Sequence, residues 1–484
     1  MAGTGLLPGA RKLNLKSAQL RSTKLQGVVS PPLEGRVNRV RIIALRRTAR
    51  WGLIRPMEKS PRYPPIQVAL AVWGLGAALY LVGFFQRVAP AVITRELMVE
   101  FALSAAALGN LSALYFYAYV VIQIPTGVVV DRWGARRVLT TGALIAASGM
   151  LLFSFATAYP VAGAGRLLVG AGVGVAFVSM LKLATHWVHP SRFALVSGLA
   201  LAFGSLGGIS AGVPLRLGVD ALGWRWVMAA TGVATVFLAA AIWHFVRDDP
   251  SERGFRSFSA SPAANKERHS MLGGIREVFR YRNVWLNFIG CGAITGPMLA
   301  FGGLWGVPFL VSQYGLSTAQ AAFVTSVMLV AWAVGSPLAG VLSDRLSRRK
   351  LPIIVGGTIA AALWSVLIYV PGLPYPVLIA IMVGVGIASG VVVIGFAFCK
   401  ESVPASLAGT ASGVTNMGNM LGGMAMQPLI GWLLDRAWDG NMAGEVRIYG
   451  FPAFAATFTL MLVWLVAGLV ALTFARETHA KQAA

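Results

Sequence analysis

Charge is scarce in this sequence: Asp, Glu, Lys and Arg make up only 12% of its 484 residues, against 56% hydrophobic residues. That balance excludes an ordinary soluble globular protein, and a mean hydropathy of +0.70 agrees. Cysteine is almost missing: Cys291 and Cys399 lie in or beside apolar runs, with no metal-ligand or disulfide spacing. No nucleophile paired with a base, no metal-ligand cluster and no phosphate-binding loop is found, so neither an enzyme nor a cofactor is expected. Period-two alternation is absent, which argues against a β-barrel. Acidic residues are also absent from the middle of every long apolar run.

What is present is a succession of apolar segments, each long enough to cross a bilayer as a helix. We expect twelve, at about 67–94, 104–128, 138–158, 161–186, 192–215, 225–246, 284–312, 318–341, 352–371, 375–399, 406–434 and 452–475. The chain therefore divides into a basic N-terminal extension (1–66), a six-helix bundle (67–246), a hydrophilic linker (247–283), a second six-helix bundle (284–476) and a short tail (477–484). The 56 glycines suit close helix packing in a membrane.

The formal net charge of +24 is not spread as a nucleic-acid footprint. Half of it falls in residues 1–66, where fourteen Lys and Arg face only Glu34 and Glu58. That stretch reads as a cytoplasmic tail, an organellar transit peptide, or residues upstream of a true start at Met57; the last is the preferred reading. Most remaining excess lies in alternate loops on the side of the termini, while loops near 159, 315 and 373 carry no Lys or Arg. Both termini are therefore expected in the cytoplasm, with a bacterial inner membrane as the location.

Two polar loops stand out, Gly127-Val-Val-Val-Asp131-Arg132-Trp-Gly134-Ala-Arg136-Arg137 and Gly340-Val-Leu-Ser-Asp344-Arg345-Leu-Ser-Arg348-Arg349-Lys350. A second repeat, at an offset of 215, pairs Ser197-Gly198…Leu206-Gly207-Gly208 with Ser412-Gly413…Leu421-Gly422-Gly423. Two similar halves related by an axis along the membrane normal follow from this.

With the G-x-x-x-D-R-x-G-x-R-R loop, the chain resembles the major facilitator superfamily over nearly everything after residue 66. The second loop departs from the pattern, with Ser347 where the first has Gly134; Arg166-Leu-Leu-Val-Gly170-Ala-Gly172 resembles the family's fourth-span motif. The resemblance implies an all-α fold of twelve spans in two pseudo-symmetric bundles, alternating access, and a symporter or exchanger. It makes Gly127, Asp131, Arg132, Gly134, Arg136, Arg137, Arg166, Gly340, Asp344, Arg345 and Arg349 a conformational gate. On charge alone, Asp131 is expected to pair with arginines of its loop and with a facing helix N-terminus when the terminal-side ends are close. The plainer reading is that these arginines only fix topology.

Arg87, in Phe84-Phe85-Gln86-Arg87-Val-Ala-Pro90, is the first substrate candidate, because a guanidinium presents a fork of donors to carboxylate or phosphate. The stretch resembles the first span of the organic anion to cation symporter and organophosphate branches; an outer-end anchor is the other reading. Lys182 could join Arg87 or snorkel. Tyr117, with Tyr115 and Tyr119, could line a cavity or simply pack. Trp305 and Asn416, like Asn419 and Gln427, are polar groups inside apolar spans that could bind substrate or join helices. Buried cations without buried carboxylates point to a small organic anion, moved with H+ or Na+ or against a counter-anion, by a monomer in the lipid bilayer. A carrier of an amino acid, peptide or other neutral small solute and a non-transporting sensor of the same fold are the rivals.

Overall fold

The computed structural model describes residues 62–258, 271–404 and 407–481. The basic extension up to residue 61, the linker centre and the last three residues lie outside the described residues.

Among the described residues twelve spans are present, and the apolar pattern accounts for them. The first six are Ile66–Val92, Ala105–Trp133, Ala135–Ser154, Tyr159–Gly174 continued by Ala176–Trp187, Phe193–Ser210 continued by Val213–Leu222, and Trp224–Phe245. The second six are Arg282–Ala300 continued to Tyr314, Thr318–Leu346, Lys350–Tyr369, Tyr375–Ser389 continued to Glu401, Ala408–Arg436 and Phe451–Thr473. Eleven are long and apolar enough to cross a membrane on length and composition. Span eleven, Ala408–Arg436, has 29 residues; its Asn416, Asn419 and Gln427 dilute its apolar character and face protein instead of lipid.

Several spans are broken where the sequence cannot hold an α-helical ladder. In span seven Pro297 removes one N–H, and the ladder widens into a π turn at Phe301–Trp305. Span five runs to Leu222, seven residues beyond the expected 215. The extra turns carry Arg216 and Asp220, which pair with each other, and Arg216 also reaches Glu96 at 2.6 Å. After span one a short helix, Thr94–Glu100, occupies what composition alone reads as a loop.

The two halves meet along spans two and eleven. At the face away from the termini the carboxylate of Asp435, near the end of span eleven, accepts from the first N–H groups of span two, Ala105 at 3.1 Å and Ala106 at 2.9 Å. Arg447 at 3.2 Å and the Tyr449 hydroxyl at 2.9 Å donate to the same carboxylate. Burial, helped by the bond to Asp435, pushes the Tyr449 phenol up and keeps it a donor. Towards the terminal face the seam reaches Gln123 and Asn416, joined at 2.8 Å. Beyond that point Asp131 is 66% exposed. The described protein is thus closed at the face away from the termini.

Candidate functional site

Arg87, near the end of span one, is buried, only 2% exposed, and lies beside the middle residues of span two. Its guanidinium lies over the Phe84 ring at 4.2 Å, with Tyr119 at 5.5 Å and Tyr115 and Phe116 at 5.8 Å. Phe84 is one turn earlier on the same face of span one, and residues 115, 116 and 119 form one stripe of span two. Cation–π contact offsets part of the cost of burying the charge. Among the described residues the Arg87 Nε has no hydrogen-bond partner and no carboxylate forms an ion pair with the guanidinium. An anion is the complement such a group lacks.

Arg166, also 2% exposed, holds this group in place. Pro90 has no N–H, so the carbonyl of Gln86, four residues earlier in span one, loses its helical partner. Arg166 Nη1 donates to that carbonyl at 2.7 Å, and Nη2 donates to the Ser112 carbonyl of span two at 3.3 Å. The residue thereby ties spans one, two and four at the peptide that precedes Arg87, which excludes a snorkelling role. Replacing it with alanine is expected to strand the Gln86 carbonyl and lower stability by about 1–3 kcal/mol. Adding Pro90→Ala supplies an N–H to that carbonyl, and a thermal melt of the double variant is expected to recover part of the loss.

Tyr115 donates to the Gly83 carbonyl at 2.9 Å, fixing the stripe against span one. Gly170 of span four permits this: a Cβ there would stand 2.1 Å from the Tyr115 carbonyl oxygen. Gly170→Val should push span two away from span four, costing about 1–3 kcal/mol by overpacking; an unchanged melting temperature would show that the contact is not tight.

The other candidates divide. Tyr117 is half-buried and lies on the side of span two away from residues 115 and 119, outside the Arg87 group. Lys182 also lies outside it: its Nζ donates to Asp131 at 2.6 Å, about 18 Å along span two from Tyr119. Trp305 is buried and donates to the Gln427 carbonyl at 3.0 Å, a contact that joins spans seven and eleven within one half. Asn416 does face the first half, through Gln123. Gln123 was not foreseen as a contact; it falls on the stripe of Tyr119, one turn further, and that periodicity is the signal for it.

In the gate, with the terminal-side ends apart, Asp131 pairs with Lys182. Gly134 adopts φ +83° and stacks against the Asp248 carboxylate, which accepts from Arg136 N at 2.7 Å and so caps span three. Arg136 also packs on Trp243 at 4.3 Å. Ser347 takes the equivalent left-handed position, φ +48°, in the second loop. Arg349 is buried and joins Asp344 at 2.5 Å to Glu401 at 2.7 Å, while Glu477 accepts from Arg349 N at 2.6 Å and Lys350 N at 3.0 Å to cap span nine. Burial alone would raise the Glu477 carboxyl, but these backbone N–H groups outweigh it and hold it below the usual range. Its contribution is therefore full above the ordinary glutamate pKa and is lost as pH falls through the lowered value. Arg132, Arg137 and Arg345 form none of the ion pairs seen among the described residues. Gly127 and Gly340 have open space where a Cβ would stand.

Comparison with known proteins agrees with this architecture. The chain is 24% identical to a probable sulfoacetate transporter of Cupriavidus necator over 423 residues, covering 80% of this chain and 93% of that one. It is 24% identical to a D-galactonate transporter of Escherichia coli, covering 71% and 84%. Among solved structures, a D-xylose–proton symporter superposes with a TM-score of 0.66 at 14% identity, covering 86% and 99%. An inward-facing bacterial homolog of the human lysosomal transporter Spinster superposes with a TM-score of 0.64 at 18% identity, covering 85% and 96%. The family model of the Major Facilitator Superfamily matches residues 68–426. With twelve spans in two halves and that match over most of its length, this chain belongs to the Major Facilitator Superfamily and is a multi-pass membrane transporter of small molecules.

Proposed function

We propose that this transporter carries a small organic anion, a carboxylate, sugar acid or related acid, whose charged group is held by Arg87. The observation that carries the reading is a buried guanidinium in an aromatic surround with no carboxylate on it among the described residues. The similarity to transporters named for sulfoacetate and D-galactonate supports it. Asn416 and Gln123, from opposite halves, are the neutral polar groups placed to meet hydroxyls at the other end of the substrate. The aromatic stripe fixes orientation, and Arg166 keeps Arg87 in register.

Alternating access follows from the seam. With the Asp435 contacts formed, the site opens towards the face of the termini, and the arginines of the loops on that face support reading it as the cytoplasmic side. Closing that face would bring the Asp131 and Asp344 loops towards the opposite half. The carrier works in the cytoplasmic membrane of a bacterium. The test is uptake by the reconstituted protein of labelled tartrate, D-galactonate and sulfoacetate beside a neutral sugar and an amino acid cation. Uptake of an anion alone supports the reading; transport of only the neutral or cationic compounds refutes it.

A further inference from the structure

We propose that the second half carries an anionic-phospholipid site at the terminal face, where spans seven, ten and twelve end, and that the phosphate headgroup of a bilayer lipid occupies it. The site is separate from Arg87 and does not depend on which substrate is carried.

A groove of about 580 Å3 opens there, lined by Arg282 at the start of span seven, Glu401 and Ser402 at the end of span ten, and Arg476, Thr478 and Lys481 past the end of span twelve. Asn283 ties these helix ends together. Its amide nitrogen donates to Ser402 Oγ at 3.0 Å and to the Arg476 carbonyl at 2.9 Å, and its oxygen accepts from Arg476 N at 2.8 Å. The groove therefore has a set shape. Its two carboxylates are already engaged: Glu401 by Arg349 at 2.7 Å and the Thr478 hydroxyl at 2.6 Å, Glu477 by the first N–H groups of span nine. Its cations are not. Among the described residues the side chains of Arg282, Arg476 and Lys481 form neither an ion pair nor a hydrogen bond. Two guanidinium forks and an ammonium around one fixed groove suit the oxygens of a phosphate.

The level of the groove and its surroundings favour a lipid as the source of that phosphate. Arg282 is the first residue of span seven, and Arg476 follows the end of span twelve at Thr473. Both cations thus stand where a span leaves the hydrocarbon and the headgroups begin. Spans seven and twelve pack on each other. Span seven exposes Trp285 and Ile289, one turn apart, and span twelve exposes Val470 and Phe474, also one turn apart. Each helix so presents an apolar strip leading from the groove into the membrane, with a tryptophan near the boundary where its ring is favoured. Acyl chains lie on such strips, whereas a soluble phosphate gains nothing from them. A bound headgroup would pin Arg476 and Lys481, and with them Glu477 and Thr478, against the ends of spans seven, nine and ten.

The experiment melts the full chain in neutral detergent with increasing phosphatidylglycerol, phosphatidylcholine or soluble glycerol phosphate. Wild type is compared with Arg282→Gln/Arg476→Gln/Lys481→Gln and with Arg132→Gln/Arg137→Gln/Arg345→Gln, which removes equal charge elsewhere. Phosphatidylglycerol is expected to raise the melting temperature of wild type by mass action, and the other two compounds to have little effect. Each cation at a lipid surface contributes roughly fivefold to binding. The first variant should therefore need at least about tenfold more phosphatidylglycerol for half of the stabilisation, and the second should behave like wild type. Equal dependence in wild type and the first variant, or an equal loss in both variants, would overturn the site. Glycerol phosphate acting as well as the lipid would overturn the lipid assignment. Native mass spectrometry of wild type alone gives a second reading: phosphatidylglycerol retained in preference to phosphatidylcholine is expected, and equal retention would overturn the site whether or not the variants fold.

Discussion

Arg87→Ala is expected to reduce anion uptake by at least about 100-fold while leaving the protein folded. The magnitude follows from what the substrate loses: two charge-assisted hydrogen bonds, each contributing about 1.5–3 kcal/mol, where every 1.4 kcal/mol is a factor of about ten. Arg87→Lys keeps the charge but not the planar fork, and is expected to retain a small fraction of the activity. Stability should move in the other direction. The guanidinium is 2% exposed and lacks a carboxylate partner among the described residues, so alanine removes a buried charge and its desolvation cost, at the expense of its ring contacts. A melting temperature that is unchanged or higher, together with lost uptake, identifies a binding residue. A large drop in melting temperature with uptake preserved in the surviving protein would identify a packing residue instead.

Asp435→Asn is expected to open the seam at the face away from the termini. The carboxylate caps the N-terminus of a helix from the opposite half, where charge and two N–H donors both favour an anion. It also orders Arg447 and Tyr449 against the seam. The amide keeps the shape but not the charge, a loss of about 1.5–3 kcal/mol that shifts the balance of states by at least about tenfold. A single cysteine at Leu108, buried at this end of span two, reports it in a background with Cys291 and Cys399 replaced. An impermeant maleimide should react about tenfold faster with the Asp435→Asn protein; equal rates would show that the carboxylate does not hold the halves together.

The positions of the spans were legible because twenty apolar residues and a membrane leave the chain few alternatives. Where polar residues entered a helix, the pattern weakened: Arg216 and Asp220 hid the last turns of span five behind an ion pair that neutralises both. Arg87 and Arg166 were legible as costly charges, but their roles were not separable until Pro90 and the Gln86 carbonyl were seen together, because a freed carbonyl is a property of the backbone. Tyr115 and Tyr117 look alike in sequence and differ only in the face of span two that each occupies. Lys182 was drawn to Arg87 by sign alone, and the structure gives it an acidic partner at the terminal face. Asp435 had a visible signal: it stands at the repeat offset from Asp220, yet the two have diverged, one capping span two and the other pairing with Arg216.

The measurement closest to the central claim is thermal stabilisation of the purified protein by tartrate, D-galactonate and sulfoacetate, on wild type and Arg87→Gln side by side. A ligand at one hundred times its dissociation constant adds about 2.7 kcal/mol of stability, a shift of several degrees that needs no knowledge of coupling. The account predicts that at least one of these anions raises the melting temperature of wild type and leaves that of Arg87→Gln unmoved. Equal stabilisation of both proteins would contradict it, for the anion would then be held somewhere other than Arg87.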